Sequence, residues 1–139
     1  MWEDYCIKKI IYEVEFTMKN NMKLNNYTKQ QAIEGHRKMW NWIADEIESR
    51  KCTCSIVELK RRYCNENSLD LLCNCFCCEY TDSKHNDDCS LCPLDWGITK
   101  TCIHNEHSLF NRVVSCTTWQ EKADLARQIA NLPERKEIE

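Results

Sequence analysis

Glycine and proline are nearly missing from this chain, with two of each in 139 residues. That scarcity, beside 29% charged residues, points to a compact and largely helical fold. No run of about 18 apolar residues occurs, which argues against a membrane-spanning helix. The opening Met-Trp-Glu-Asp-Tyr-Cys lacks the basic and then apolar layout of an export signal. We therefore expect a reducing, cytoplasmic setting in which the thiols stay reduced or bind metal. An excess of positive charge is missing too: the formal net charge is -3 and the pI about 5.8. This argues against unspecific phosphate binding, which needs a basic surface. Nor is there an HExxH pattern, so zincin-type hydrolysis is excluded.

Cysteine, by contrast, is abundant, with twelve residues, six of them between Cys73 and Cys92. Two CxxC knuckles, Cys75-Phe-Cys-Cys78 and Cys89-Ser-Leu-Cys92, stand ten residues apart. Such a pair can place four thiolates in a tetrahedron around one Zn2+, so Cys75, Cys78, Cys89 and Cys92 are the expected ligands of a structural zinc. Cys77 is the rival ligand, because Cys75 and Cys77 also form a CxC. Disulfides are the competing account of these cysteines. Four thiolates leave no open position for water, so the metal is expected to staple rather than catalyse. Cys52-Thr-Cys54 is a further CxC; with Cys64 or Cys73 it offers a second, less well-spaced site. Trp96, after Pro93-Leu-Asp, is expected to pack over the zinc loop.

The flanks read mostly as helix. Residues 7 to 18 alternate with period two, Ile10, Tyr12, Val14, Phe16 and Met18 on one side, and predict a short N-terminal β-strand. An Asn-rich stretch follows, and Met18 and Met22 are alternative starts. We divide the chain into an extension, 1–26, whose strand edge is a route to homo-oligomers, and one zinc-stabilised, mostly helical domain, 27–139. The fold class is thus mainly α with a zinc-stapled knuckle region, a small α+β domain if the strand is counted. Thr28-Lys-Gln-Gln31 is a capping box opening a helix to about Glu48. Its spacing gathers Ile33, His36, Trp40, Ile43, Ala44 and Ile47 on one face, with Ala32 and Met39 at the edge. His36 on that face predicts a packed, hydrogen-bonded histidine. Trp42 projects to the opposite side, near Lys38 and Glu46, where its ring is either a partner-binding anchor or covered by another segment.

Ser55-Ile-Val-Glu58 caps a second helix whose stripe is Ile56, Leu59 and Tyr63. Lys60, Arg61 and Arg62 form the one compact basic run, read as a solvated face or, alternatively, an anion contact. Residues 98 to 115 are hard to read; they hold Cys102, His104 and His107, able to ligate metal or to move protons. Thr118-Trp-Gln-Glu121 caps a last helix with Trp119, Ala123, Ala126, Ile129 and Ala130 inward, stopped by Pro133. The tail from Glu134 is expected to fray.

The run from Ala32 to Ala44, AIEGHRKMWNWIA, together with CFCCEY, CPLDW and the closing ARQIANLP, resembles a small zinc-knuckle family encoded by phages and prophages of low-GC Gram-positive bacteria. The likeness spans about 28 to 136. It implies a setting inside the bacterial host rather than an activity: short accessory phage proteins often bind host machinery or host defence. The expectation is therefore a non-enzymatic protein that occupies a host macromolecule, most simply a protein such as a defence effector, in the manner of an anti-CRISPR. Competing classes are nucleic-acid binding through the knuckles and Lys60, Arg61 and Arg62, opposed by the Glu79, Asp82, Asp87 and Asp88 cluster, and capture of a small nucleotide signal. Catalysis through Cys102-Ile-His-Asn-Glu-His107 lacks the compact hairpin and spaced Asn and His of histidine-metal nucleases.

Overall fold

The computed structural model describes residues 26–71, 74–85, 92–97, 102 and 107–136, with backbone only for 82–85. Five helices are seen there: α1, Lys29–Arg50; α2, Ile56–Glu66; α3, Phe76–His85; α4, Leu109–Ser115; and α5, Trp119–Ala130. Among the described residues no strand is present. The expected N-terminal strand and the whole 1–25 stretch lie outside them.

All three predicted caps form. Thr28 and Gln31 exchange both bonds of a capping box, at 3.1 and 2.9 Å. Ser55 Oγ accepts from the Glu58 N–H and Thr118 Oγ1 from the Glu121 N–H, each at 3.3 Å. These bonds satisfy backbone donors that a helix start otherwise leaves bare. At the far end of α1, Lys51 takes a left-handed conformation, φ 50°, and donates its N–H to Ile47 O. Helix α1 thus ends without a glycine.

The core is one continuous cluster built on α1. Its buried face is Ala32, Ile33, His36, Met39, Trp40, Ile43, Ala44 and Ile47, the set its spacing predicts. Helix α5 lies along this face with Ala123, Leu125, Ala126, Ile129 and Ala130. At the edge, the Arg127 guanidinium donates to Asn41 O and Asn41 Oδ1 and pairs with Asp45 and Glu48. Helix α3 packs on α1, and α4 on α5.

Gly35 explains how α3 comes so close. A Cβ there would lie 2.5 Å from the Phe76 ring, so only glycine admits the first residue of α3 against α1. Tyr27 also packs against that ring, centroids 5.6 Å apart.

The tail is not frayed over its first residues. Leu94 and Glu134 form an antiparallel bridge. Asp95 N–H donates to Pro133 O at 2.9 Å and Arg135 N–H to Pro93 O at 2.8 Å. Lys29 pairs with Glu134 at 2.9 Å, and Arg37 donates to Leu132 O. The chain after α5 thereby returns to the segment that follows Cys92.

Candidate metal centre

Asn74 enters the first knuckle in a left-handed conformation, φ 50°, its N–H bonded to Leu71 O. This turn aims Cys75 inward at the start of α3. The Cys78 N–H then donates to Cys75 Sγ at 3.4 Å, a backbone dipole that favours negative charge on that sulfur. Thr81 donates its hydroxyl to Cys77 O at 2.7 Å, tightening the same turn.

The thiols contact one another in a string. Hydrogen bonds from Cys77 and then Cys78 hold Cys75 well below the ordinary thiol range, against the effect of its burial. Cys77 is pushed well above that range by its bonds with Cys75 and Cys92. Cys78 is raised by the bond with Cys75, with Cys102 close enough to add to the effect. Cys92 is lowered, first by Cys77, then by the Leu94 N–H and the Trp96 indole. The sulfurs thus run from Cys78 through Cys75 and Cys77 to Cys92. The thiolate form is thus favoured at Cys75 and Cys92, one from each predicted knuckle.

Cys77, a rival ligand in sequence terms, joins the knuckles: it is buried and bonded to both. Cys89 lies outside the described residues. Among those described, no three His, Cys, Asp or Glu stand in metal-holding geometry. By their chemistry, thiols such as Cys75, Cys78 and Cys92 would suit a thiophilic divalent ion, and the Cys78 N–H already bonds the Cys75 sulfur.

Around the string sit groups whose charge matters. His36 is buried; its Nε2 pairs with Ile129 O at 2.9 Å, so we assign the proton to Nε2, and Nδ1 has no hydrogen-bond partner. Its ring lies edge-on to Trp96, centroids 6.2 Å apart, and burial lowers its pKa. The packed histidine expected at this position is what the structure contains. Trp96 is buried in the core, close enough to Cys92 to act on its thiol.

The basic run does not make one surface, so Lys60 belongs neither to a solvated face nor to a contact shared with Arg61 and Arg62. Lys60 is only 2% exposed, its ammonium 5.2 Å from the Phe110 ring centroid and 6.0 Å from that of Trp40. Arg61 pairs outward with Glu58 at 2.7 Å, while Arg62 approaches Glu46 and Glu66. The signal for Lys60 was present: Ile56, Lys60 and Cys64 repeat every four residues, and all three are buried. Its charge concealed that spacing.

Trp42 is half-buried rather than free. Tyr63 from α2 lies against it, centroids 5.5 Å apart and tilted 57°, and the Arg62 guanidinium sits 5.5 Å over the ring. Lys38 is exposed one turn away, and Glu46 pairs with Arg50 at 3.0 Å. Cys52 and Cys54 are joined as a disulfide, Cα atoms 5.4 Å apart, in the ordinary range for such bonds. The Lys122 ammonium donates to Cys54 O at 3.2 Å, and burial lowers its pKa. Cys102 is half-buried, His107 is exposed, and His104 lies outside the described residues. No described helix is long and apolar enough to cross a membrane.

No protein-family model, curated protein or solved structure matches the chain.

Proposed function

We propose that this chain is a zinc-stapled binding protein, a phage-type accessory factor that works in the host cytoplasm by stoichiometric occupation of a host protein such as a defence effector. The zinc is held by Cys75, Cys78, Cys89 and Cys92 and is structural; four thiolates close its coordination, and the ion's role is to fix α3 against α1. Support comes from the string that joins Cys78, Cys75 and Cys77 of one segment to Cys92 of another. The phage setting rests on the sequence resemblance alone.

Recognition is assigned to the outward face of α1 and α2, where the Trp42 and Tyr63 rings, tilted against each other, and the Arg62 guanidinium form a half-buried platform, flanked by Lys38 and Glu46. A rigid aromatic held by its neighbours loses little entropy on binding and makes an efficient anchor. Affinity capture from host cells identifies the partner; titration of Trp42→Ala against it then reads the anchor. Binding should weaken by about 2 kcal/mol or more, with zinc content unchanged. Unaltered affinity sinks the platform. Steeply salt-dependent binding to unrelated nucleic acids would instead favour the nucleic-acid reading.

A further inference from the structure

The disulfide of Cys52 and Cys54 closes a loop of only three residues, in the connection between α1 and α2. A disulfide stabilises a fold chiefly by restricting the unfolded chain, and a loop this short restricts it little. The connection is also held without it. Lys51 donates its N–H to Ile47 O at 2.8 Å, Ser55 Oγ accepts from the Glu58 N–H at 3.3 Å, and the Lys122 ammonium of α5 donates to Cys54 O at 3.2 Å. Small molecules can reach the pair: Lys51, Thr53 and Ser55 are exposed, with Cys52 and Cys54 half-buried between them. A bond that holds little together and lies near solvent has the placement of an exchanging disulfide rather than of a staple. Its two sulfurs are not equivalent. Cys54 packs against the core and directly precedes Ser55, the N-cap of an eleven-residue helix, whose positive end favours negative charge. Cys52 lies on the far side of the exposed Thr53.

We propose that Cys52 and Cys54 form a redox-active pair that exchanges with small thiols of the glutathione class, entered at Cys52 and with Cys54 as the sulfur that leaves. The thiolate of one small thiol attacks Cys52 Sγ; the bond between the two cysteines breaks, and its electron pair goes to Cys54 Sγ, which takes a proton from water. Cys52 then carries the small thiol as a mixed disulfide, which makes it a modification site just after α1. A second small thiol attacks the bound one and releases Cys52. In balance, two small thiols are oxidised to one disulfide and the protein's disulfide is reduced to two thiols. The α1–α2 connection keeps its backbone bonds throughout, so the fold persists in both states. This site is separate from the zinc centre at α3 and does not depend on it.

The test uses the full-length chain, equilibrated in a series of mixtures of reduced and oxidised glutathione and trapped with a fast alkylating agent. Trypsin cuts after Lys51 and Lys60, so the peptide 52–60 carries these two cysteines and no other, and its mass reports their state apart from the remaining thiols. In wild type this peptide should pass reversibly from disulfide to dithiol across the series. Cys54→Ser should hold glutathione on Cys52 at least tenfold more than Cys52→Ser holds it on Cys54. Either variant should melt within about 3 °C of wild type, as expected where the bond is not a staple. A disulfide that persists in excess reduced glutathione, or a peptide that stays doubly alkylated in oxidised glutathione, overturns the proposal. So does equal glutathione uptake by the two variants, or a variant that melts far below wild type.

Discussion

The seam between α1 and α5 and the hub at the start of α3 lie in one core, yet different forces hold them. Along the seam, Ile33, Trp40, Ile43 and Ile47 meet Ala126, Ile129 and Ala130, all apolar and at helical spacing. Burial of that surface, at roughly 25 cal/mol per Å2, is the driving force there, and it needs no ion. At the hub, Cys75, Cys77, Cys78 and Cys92 meet with His36 and Lys60 nearby, each carrying a charge or a hydrogen bond to be balanced. The seam is therefore expected to persist across conditions that take the hub apart.

The largest expected break is in the seam. Trp40→Ala removes a fully buried indole at the centre of α1 and should cost about 3 to 5 kcal/mol in a urea unfolding series. Because this loss is apolar, it should be the same with zinc and with a chelator present. A smaller and more selective break is Gly35→Ala. The new methyl meets the Phe76 ring, and with Cys75 and Cys77 on either side of that residue the first knuckle must shift. We expect a cost of about 1 to 3 kcal/mol, read as a lowered urea midpoint, together with weaker zinc binding. If Gly35→Ala left zinc affinity untouched, the hub would not depend on the fit between α3 and α1.

What was legible in the sequence follows the same division. The buried face of α1 could be read residue by residue because apolar spacing and a capping box agree over 22 residues. Helices α2 and α5 were legible through Ser55 and Thr118 for the same reason. Helix α4 was not: it is seven residues long, and Ser108 at its N-cap makes no side-chain capping bond. Lys60 was misread because its charge was given more weight than its position on the stripe of Ile56 and Cys64. The tail looked unanchored because its partner, Pro93 to Asp95, is distant in sequence and the bonds are between backbones. Trp42 fell on the polar side as expected, but the spacing of α1 contains nothing about Tyr63 and Arg62 arriving from α2. The joining position of Cys77 was equally hidden, since CxxC spacing counts it as a filler.

The most direct measurement is the metal content of the full-length protein, purified under reducing conditions, beside Cys78→Ala and Cys92→Ala. Elemental analysis should find one zinc per wild-type chain and much less than one in either variant, with the zinc form melting well above the chelated form. A folded wild-type chain without stoichiometric metal, melting at the same temperature with or without chelator, would contradict the account and leave the thiol string as a feature of the core alone.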